Sequence, residues 1–402
     1  MANVFRNFKL LLLALALLHL GLMARDAGQS LANANDLVFS DGISAVGGDF
    51  INMYAAGRLT LEGRIAEIYD PAAFMAFERT IMPAEIGTRF WAYPPTSLPL
   101  VAPLALLSFW PALILWSVLG LLLLGYGARR IGLDWLETAL LVLSPAAISA
   151  VYYGQTGNAA AGLLLIALSA VRDRGALSPV AAALLTVKPQ MGFLLPVLWL
   201  IRHQFRLIGA TVCLVIALGA LALWVAGPEA WRSYVGDTLS ALNALERTGT
   251  GPFTLMIPSV FMAARLLTGD PALAQWVHWG FAAAVAAYVA WQFARTDSAE
   301  RQNAILLVGT MLITPYIHIY DLAPAVCAAM LLMRRWTGTP STLQLLICFV
   351  VLAAWALPAL TLYGYSVGLP LGPPTLLLLL VALTLPLPRP SYDTLTLESS
   401  SK

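Results

Sequence analysis

Lys188 sits in Leu184-Leu185-Thr186-Val187-Lys188-Pro189-Gln190, between two apolar runs. Burying an ionisable side chain at the centre of a bilayer costs about 2.5 kcal/mol or more, so a charge at that depth is a functional candidate. Pro189 ends the preceding helix and leaves carbonyls without amide partners. Lys188 is then either a lysine snorkelling to the interface or a cation facing an anionic group such as a lipid phosphate. His318 lies in Thr314-Pro315-Tyr316-Ile317-His318-Ile319-Tyr320-Asp321. The i,i+3 spacing lets His318 and Asp321 share a helical face. The carboxylate would orient the imidazole, or hold it protonated against a phosphate; a satisfied packing pair is the plainer reading.

Two further groups are polar where the chain turns. Tyr152-Tyr153-Gly154-Gln155-Thr156-Gly157-Asn158 joins two apolar runs. Gln155 and Asn158 have the amides to read sugar hydroxyls, and the glycines permit close backbone approach; a tight turn explains them equally well. Asp49 follows Gly47-Gly48 and precedes the amphipathic Phe50–Leu61 segment. Negative charge is favoured at a helix N-terminus, so Asp49 reads as an N-cap or as a general base held at a membrane surface.

The elements that must position these residues are membrane helices. Of 402 residues, 59% are hydrophobic and 11% charged, and mean hydropathy is +0.78. A soluble domain carries roughly 25% charged residues. Apolar runs long enough to span recur from end to end with no polar linker between them, which predicts one membrane domain over 1–390 and a short cytoplasmic tail, 391–402. The predicted fold is an all-α polytopic membrane protein. A net charge of +2 excludes an electrostatic footprint for nucleic acid. Cys213, Cys327 and Cys348 lie within apolar runs and read as inert packing residues rather than a disulfide framework.

Hydropathy places twelve spans at 8–24, 109–128, 135–152, 157–171, 176–188, 190–201, 207–226, 272–294, 302–316, 319–333, 342–362 and 370–387. The first resembles a signal peptide, but its small-residue site, Ala32-Asn33-Ala34, lies too far past the apolar run, so an uncleaved helix is expected. Stretches 94–107 and 253–267 begin with proline-rich sequence and read as half helices, tolerated where protein or water satisfies the backbone. With a cytoplasmic N-terminus, each short inner segment holds two basic residues: Arg6 and Lys9, Arg129 and Arg130, Arg172 and Arg174, Arg202 and Arg206, Arg295 and Arg301, Arg334 and Arg335, Arg389 and Lys402. This obeys the positive-inside rule and puts both termini in the cytoplasm. Residues 25–93 become a long, acid-rich first extracytoplasmic loop. Its stretches 50–60 and 71–82 have the spacing of helices lying on the membrane surface. A second outer loop is expected over 227–251.

The order of motifs resembles glycosyltransferase family 87. The matching residues are Gly48-Asp49-Phe50 with Tyr54, Gly63 to Tyr69-Asp70, Tyr93-Pro94-Pro95 ahead of Pro103-Leu104-Ala105, Gly154-Gln155 with Asn158, Lys188-Pro189, and Pro315 to His318. The resemblance spans roughly residues 45–335. It implies a C-type (GT-C) membrane fold and a polyprenyl-phosphate sugar donor, mannose above all. It also implies a lipid or glycan acceptor presented at the periplasmic face of a bacterial inner membrane. The family's catalytic acid falls on Asp49. A histidine late in the family's membrane region matches His318; with it, Lys188, Gln155, Asn158, Tyr93 and Asp321 are the candidate donor phosphate and sugar contacts.

One base suits that chemistry. A glycosidase needs a second carboxyl to protonate a poor leaving group. A phosphate leaves as a stable anion, so an inverting transferase needs only a base on the acceptor, with cations near the phosphate. A nucleotide-sugar donor is disfavoured by the lack of a DxD motif and of a soluble cytoplasmic domain. No cofactor is expected; the outer acids could hold a divalent ion, but their spacing resembles no known cation-binding loop. A transporter or flippase of lipid-linked sugars is the main alternative, although the long first loop has no counterpart in the second half, as paired repeats would require. A lipid-linked oligosaccharide polymerase or ligase of the same fold is another, and a non-catalytic membrane scaffold a third. Convergence of Asp49, Lys188 and His318 on one outer cavity would support the proposed chemistry, and a separation wider than a substrate would rule it out.

Overall fold

The computed structural model describes residues 3–32, 47–82, 90–169 and 177–386. The predicted tail lies outside them, as do Arg172, Arg174 and Arg389 of the charge pattern and Asp36, Asp41 and Glu85 of the first outer loop. Among the described residues there is no strand. Helix α1 (Asn3–Ala32) is followed by α2 (Phe50–Leu61), α3 (Ile65–Ile68), α4 (Pro71–Ile81) and α5 (Leu98–Val101). Next come α6 (Phe109–Arg130), α7 (Trp135–Val142), α8 (Pro145–Tyr153), α9 (Gly157–Leu168), α10 (Leu177–Leu184) and α11 (Leu195–Ile201). Then follow α12 (Phe205–Ser233), α13 (Leu239–Thr248), α14 (Val260–Thr268) and α15 (Pro271–Arg295). The chain ends with α16 (Ala299–Ile313), α17 (Ala323–Arg335), α18 (Ser341–Trp355), α19 (Leu357–Ser366) and α20 (Gly372–Thr384).

The protein is a multi-pass membrane protein, but its helices are less regular than twelve straight spans. Among the described residues, four segments are individually long and apolar enough to cross a bilayer: Val4–Gln29, α6, the Phe205–Thr248 run and α15. Two bent pairs qualify together, α7 with α8 at 45° and α18 with α19 at 70°. Elsewhere the helices are short. α9 has 12 residues and α10 has 8, about 18 and 12 Å at 1.5 Å per residue, against a hydrocarbon core of about 30 Å. Proline explains several breaks: Pro145, Pro189 and Pro324 each stand in the first turn of a helix or 3-10 turn, where a missing amide does no harm.

Inside a bilayer, apolar burial does not drive helices together; close packing does. α6 and α9 meet through glycines. A Cβ on Gly162 would lie 2.5 Å from the Leu123 backbone, and one on Gly127 would lie 2.7 Å from the Gly162 carbonyl. One end of the bundle is tied by a buried carboxylate. Glu137, 1% exposed, accepts from Lys9 Nζ at 2.7 Å and Arg334 Nε at 3.0 Å, and closes a capping box with Asp134 at the start of α7. The charge pattern put Lys9 and Arg334 on the same face, and here they share one acid. At the other end of the α7–α8 pair, Tyr152 donates to Asp26 Oδ2 of α1 at 2.8 Å.

Three local expectations change. α2 is not a surface helix: Phe50, Ile51, Met53, Tyr54, Ala55 and Ala56 are all buried, so both faces are covered. Its Gly57 permits close approach, since a Cβ there would be 2.7 Å from the Val101 carbonyl. Only α4 keeps the amphipathic form, with Phe74 and Glu78 buried and its other face outward. The outer loop 227–251 is largely helical. Gly227 adopts a left-handed φ of 73°, which glycine tolerates, Pro228 restarts the helix, and a π turn leads into α13. Cys327 and Cys348 are buried as expected, but Cys213 lies exposed on α12.

Candidate functional site

The candidate residues stand at helix breaks, and the breaks converge. Asp49 is the clearest case because it occupies the N-cap position of α2 without capping it: its side chain makes no cap hydrogen bond. Asp70, in the equivalent place before α4, accepts from the amides of Ala72 and Ala73 as a capping acid should. Asp49 Oδ2 instead accepts from Gln155 Nε2 at 2.7 Å. Its backbone amide donates to the Tyr153 carbonyl at 3.0 Å, and that of Gly47 to Tyr152 at 2.8 Å. The Gly47–Asp49 turn is thus pinned to the C-terminus of α8, where Gly154 takes a left-handed cap at φ 71°.

Thr156 repeats the pattern. It is the N-cap of α9, yet its hydroxyl makes no cap bond. That oxygen lies 3.3 Å from the Tyr93 hydroxyl and 3.4 Å from Lys188 Nζ. Tyr93 also reaches Gln155 Oε1 at 3.5 Å. Burial holds the Tyr93 phenol above its ordinary range, so it remains a hydrogen-bond donor. Lys188, 9% exposed, follows a 3-10 turn. Its Nζ donates to Asp321 Oδ1 at 2.5 Å and lies 5.6 Å from the centre of the Tyr320 ring. Asp321 is fully buried.

Asp321 does not orient the imidazole, as the i,i+3 spacing suggested. Its Oδ2 accepts the backbone amide of His318 at 3.3 Å, while its other oxygen serves Lys188. The His318 ring stacks on Tyr320, 4.9 Å between centroids and 3° from parallel. His318 lies in the connection between α16 and α17, outside both helices. Burial, only partly offset by Asp321, lowers its pKa to about 4. It is therefore neutral at physiological pH rather than a cation held for a phosphate.

Asp49, Gln155, Tyr93, Thr156, Lys188, Asp321 and His318 thus form one continuous series of polar contacts. Asn158 does not join it. Its amide donates to the Ala147 carbonyl at 2.9 Å, and its Cβ lies against Gly120 of α6, so it braces α9 against α8. Thr156 and Tyr320 belong to the site and were missed from sequence. A threonine at a helix start is an ordinary cap, and only the structure shows that its hydroxyl points elsewhere. Among the described residues, no three His, Cys, Asp or Glu side chains gather closely enough to hold a metal ion.

A cavity of about 220 Å³ opens beside this network. Leu100, Trp116 and Leu184 contribute to its wall, and Tyr93, Thr156 and Lys188 line the side next to the network, although the wall itself exposes only apolar atoms. Gly157 sets how closely the network packs. A Cβ there would overlap the Tyr320 carbonyl oxygen, a backbone atom that cannot rotate aside. Overpacking of this kind costs about 1–3 kcal/mol. Gly157→Ala is expected to lower the thermal midpoint in detergent and to reduce turnover far more than that destabilisation explains, because α9 must move off the Ile319–Asp321 turn. Wild-type melting with wild-type turnover would contradict the close contact.

Residues 91–315 match the family model of glycosyltransferase family 87. The matched stretch holds Tyr93, Gln155, Thr156 and Lys188, while Asp49 precedes it and His318 and Asp321 follow it. No curated protein and no solved structure matches the chain. The family match covers more than half of the 402 residues, and on that ground the chain belongs to glycosyltransferase family 87 and is a membrane glycosyltransferase.

Proposed function

We propose that the protein is an inverting hexosyltransferase that moves a sugar, mannose in the first instance, from a polyprenyl phosphate to a lipid or glycan acceptor. The proposed setting is the periplasmic face of a bacterial inner membrane, with Asp49 as general base. The observation that carries this reading is the unbroken polar series from Asp49 to Lys188, with an apolar cavity alongside its Lys188 end. An isoprenoid tail suits the apolar cavity wall, and in this reading it brings the phosphate to the Lys188 end of the polar series.

In the proposed step the acceptor hydroxyl gives its proton to the Asp49 carboxylate as its oxygen attacks the anomeric carbon. The bond from that carbon to the phosphate oxygen breaks, and polyprenyl phosphate leaves as an anion. Gln155 orients the base through its bond to Oδ2. Lys188 has three N–H donors: one serves Asp321, one points to Thr156, and the third is left for the phosphate. Asp321 compensates much of the lysine charge, so Lys188 acts as a directed donor more than as a bare cation. Neutral His318 adds a hydrogen bond without charge.

The test is sugar transfer in isolated membranes from a panel of radiolabelled polyprenyl-phosphate sugars beside the matching nucleotide sugars. Transfer from the lipid-linked donors alone supports the reading. Transfer from a nucleotide sugar in membranes depleted of polyprenyl phosphate would overturn it.

A further inference from the structure

A cavity of about 220 Å³ lies at the far end of α16 from the candidate site. α16 has 15 residues and leads from its Ser298 cap to Thr314, where the connection carrying His318 and Asp321 begins. That is a length of about 22 Å. The cavity wall comes from the start of α16 with Glu300 and Arg301, the end of α17 with Leu331 and Arg335, and the end of α20 with Leu383. Unlike the cavity beside Lys188, it exposes polar as well as apolar atoms.

Arg301 and Arg335 are half-buried and close enough for their charges to oppose each other. Both reach the last carbonyls of α20. Arg301 donates to Leu383 at 3.1 Å and to Thr384 at 2.7 Å, and Arg335 donates to Leu385 at 2.7 Å. Arg301 also reaches Gln292 Oε1 at 3.5 Å. These bonds fix the two guanidiniums without neutralising them, because a carbonyl or an amide carries no net charge. Among the described residues neither arginine pairs with a carboxylate. Glu300 lies 3.6 Å from Arg334 instead, which is itself held by Glu137.

An apolar track leads to this pair. α20 and its cap turn Leu378, Val381 and Leu385 outward, each 42–48% exposed. Their spacing of three and four residues sets them in one stripe, the kind of surface an acyl chain covers in a bilayer. The stripe ends at Leu385, whose carbonyl holds Arg335. We propose that this cavity binds the phosphate of an anionic membrane phospholipid, with an acyl chain along the α20 stripe. Guanidinium and phosphate match in charge and in bidentate geometry. The charge pattern assigns this end of the bundle to the cytoplasm, the side on which basic pockets between membrane helices take anionic headgroups. The bound lipid would join α16, α17 and α20 and supply the negative charge that the two arginines lack. It is a site apart from sugar transfer and shares no residue with it.

The test sets the full chain in nanodiscs of phosphatidylcholine alone beside nanodiscs that also hold phosphatidylglycerol. In the wild type, phosphatidylglycerol should raise the thermal midpoint, as a ligand of the folded state does, and should be retained on the protein in native mass spectrometry. Arg335→Gln keeps an amide donor for the Leu385 carbonyl but removes the charge. It should lower retention about fivefold, the scale of one basic group at an anionic headgroup, and lose most of the midpoint gain. Arg206→Gln, at the exposed start of α12, removes a charge on the same side of the charge pattern and should change neither. The wild type alone gives a second reading: excess phosphatidylglycerol of another chain length should displace the retained lipid, and excess phosphatidylcholine should not. Displacement by both lipids alike, or equal retention in the wild type and Arg335→Gln, overturns the proposal. So does an equal loss in Arg206→Gln, which would mark a general surface-charge effect. A midpoint gain reproduced by inorganic phosphate in phosphatidylcholine nanodiscs at matched ionic strength would make a free anion the ligand and overturn the lipid. None of these outcomes bears on the glycosyltransferase reading.

Discussion

Replacing Asp49 by asparagine should reduce sugar transfer by about 10² to 10⁴, the contribution expected of a positioned general base, while leaving the folded protein intact. Asparagine keeps an oxygen to accept from Gln155 Nε2, the 2.7 Å bond that holds the side chain in place. It adds no bulk at the Gly47–Asp49 turn. Asp70 is the control. It occupies the same kind of position one helix later and caps it, so Asp70→Ala should lower stability by about 1 kcal/mol, as the loss of an N-cap does, with turnover retained. Initial rates with saturating donor, set beside thermal unfolding in detergent, separate the two acids. If Asp49→Asn transfers sugar at the wild-type rate, the base is another group.

The second large effect lies at Lys188 and Asp321. Asp321 is fully buried and bonded to Lys188 at 2.5 Å. Lys188→Met therefore leaves a carboxylate without its cation, and breaking a buried pair on one side costs about 3–5 kcal/mol. Removing both charges is far milder, because the cost comes chiefly from the charge left behind. The double variant Lys188→Met/Asp321→Asn should melt close to wild type, since the amide oxygen of the introduced asparagine can still accept the His318 amide. Its transfer should nevertheless stay at least about a hundredfold low, the scale of losing one directed donor to developing charge, with KM for the lipid-linked donor raised. A double variant that recovers both stability and transfer would make the pair a structural strut alone.

Much of this was legible in the sequence for simple physical reasons. A chain with so few charges has few places to put them, so each polar residue among apolar runs stands out. That singled out Lys188, and the breaks at Gly154, Pro189 and Pro315 marked where helices end. The resemblance supplied Asp49 and Tyr93, which composition alone could not separate from a cap and a loop aromatic. Asn158 misled because position in sequence near a turn says little about direction: one helical turn past Gln155, its amide faces α8 rather than the site. The i,i+3 spacing of His318 and Asp321 does bring them together, but as the reciprocal ends of a capping box on a 3-10 turn rather than as a carboxylate orienting an imidazole. Hydropathy registers apolar length, but it does not register the bends at Leu143 and Ala356 that turn one apolar run into two helices.

The acid that ties one end of the bundle has a consequence for how the chain is made. Glu137 is held by Lys9 from the first helix and by Arg334 from one of the last. A ribosome synthesises the first of these contacts long before the second. Until α17 has entered the bilayer, Glu137 has only one of these two cations, and the first helix is held at that end by an incomplete junction. Assembly is therefore decided late, when residue 334 arrives, and a chain stopped before that point presents the quality-control machinery with a buried acid only half neutralised.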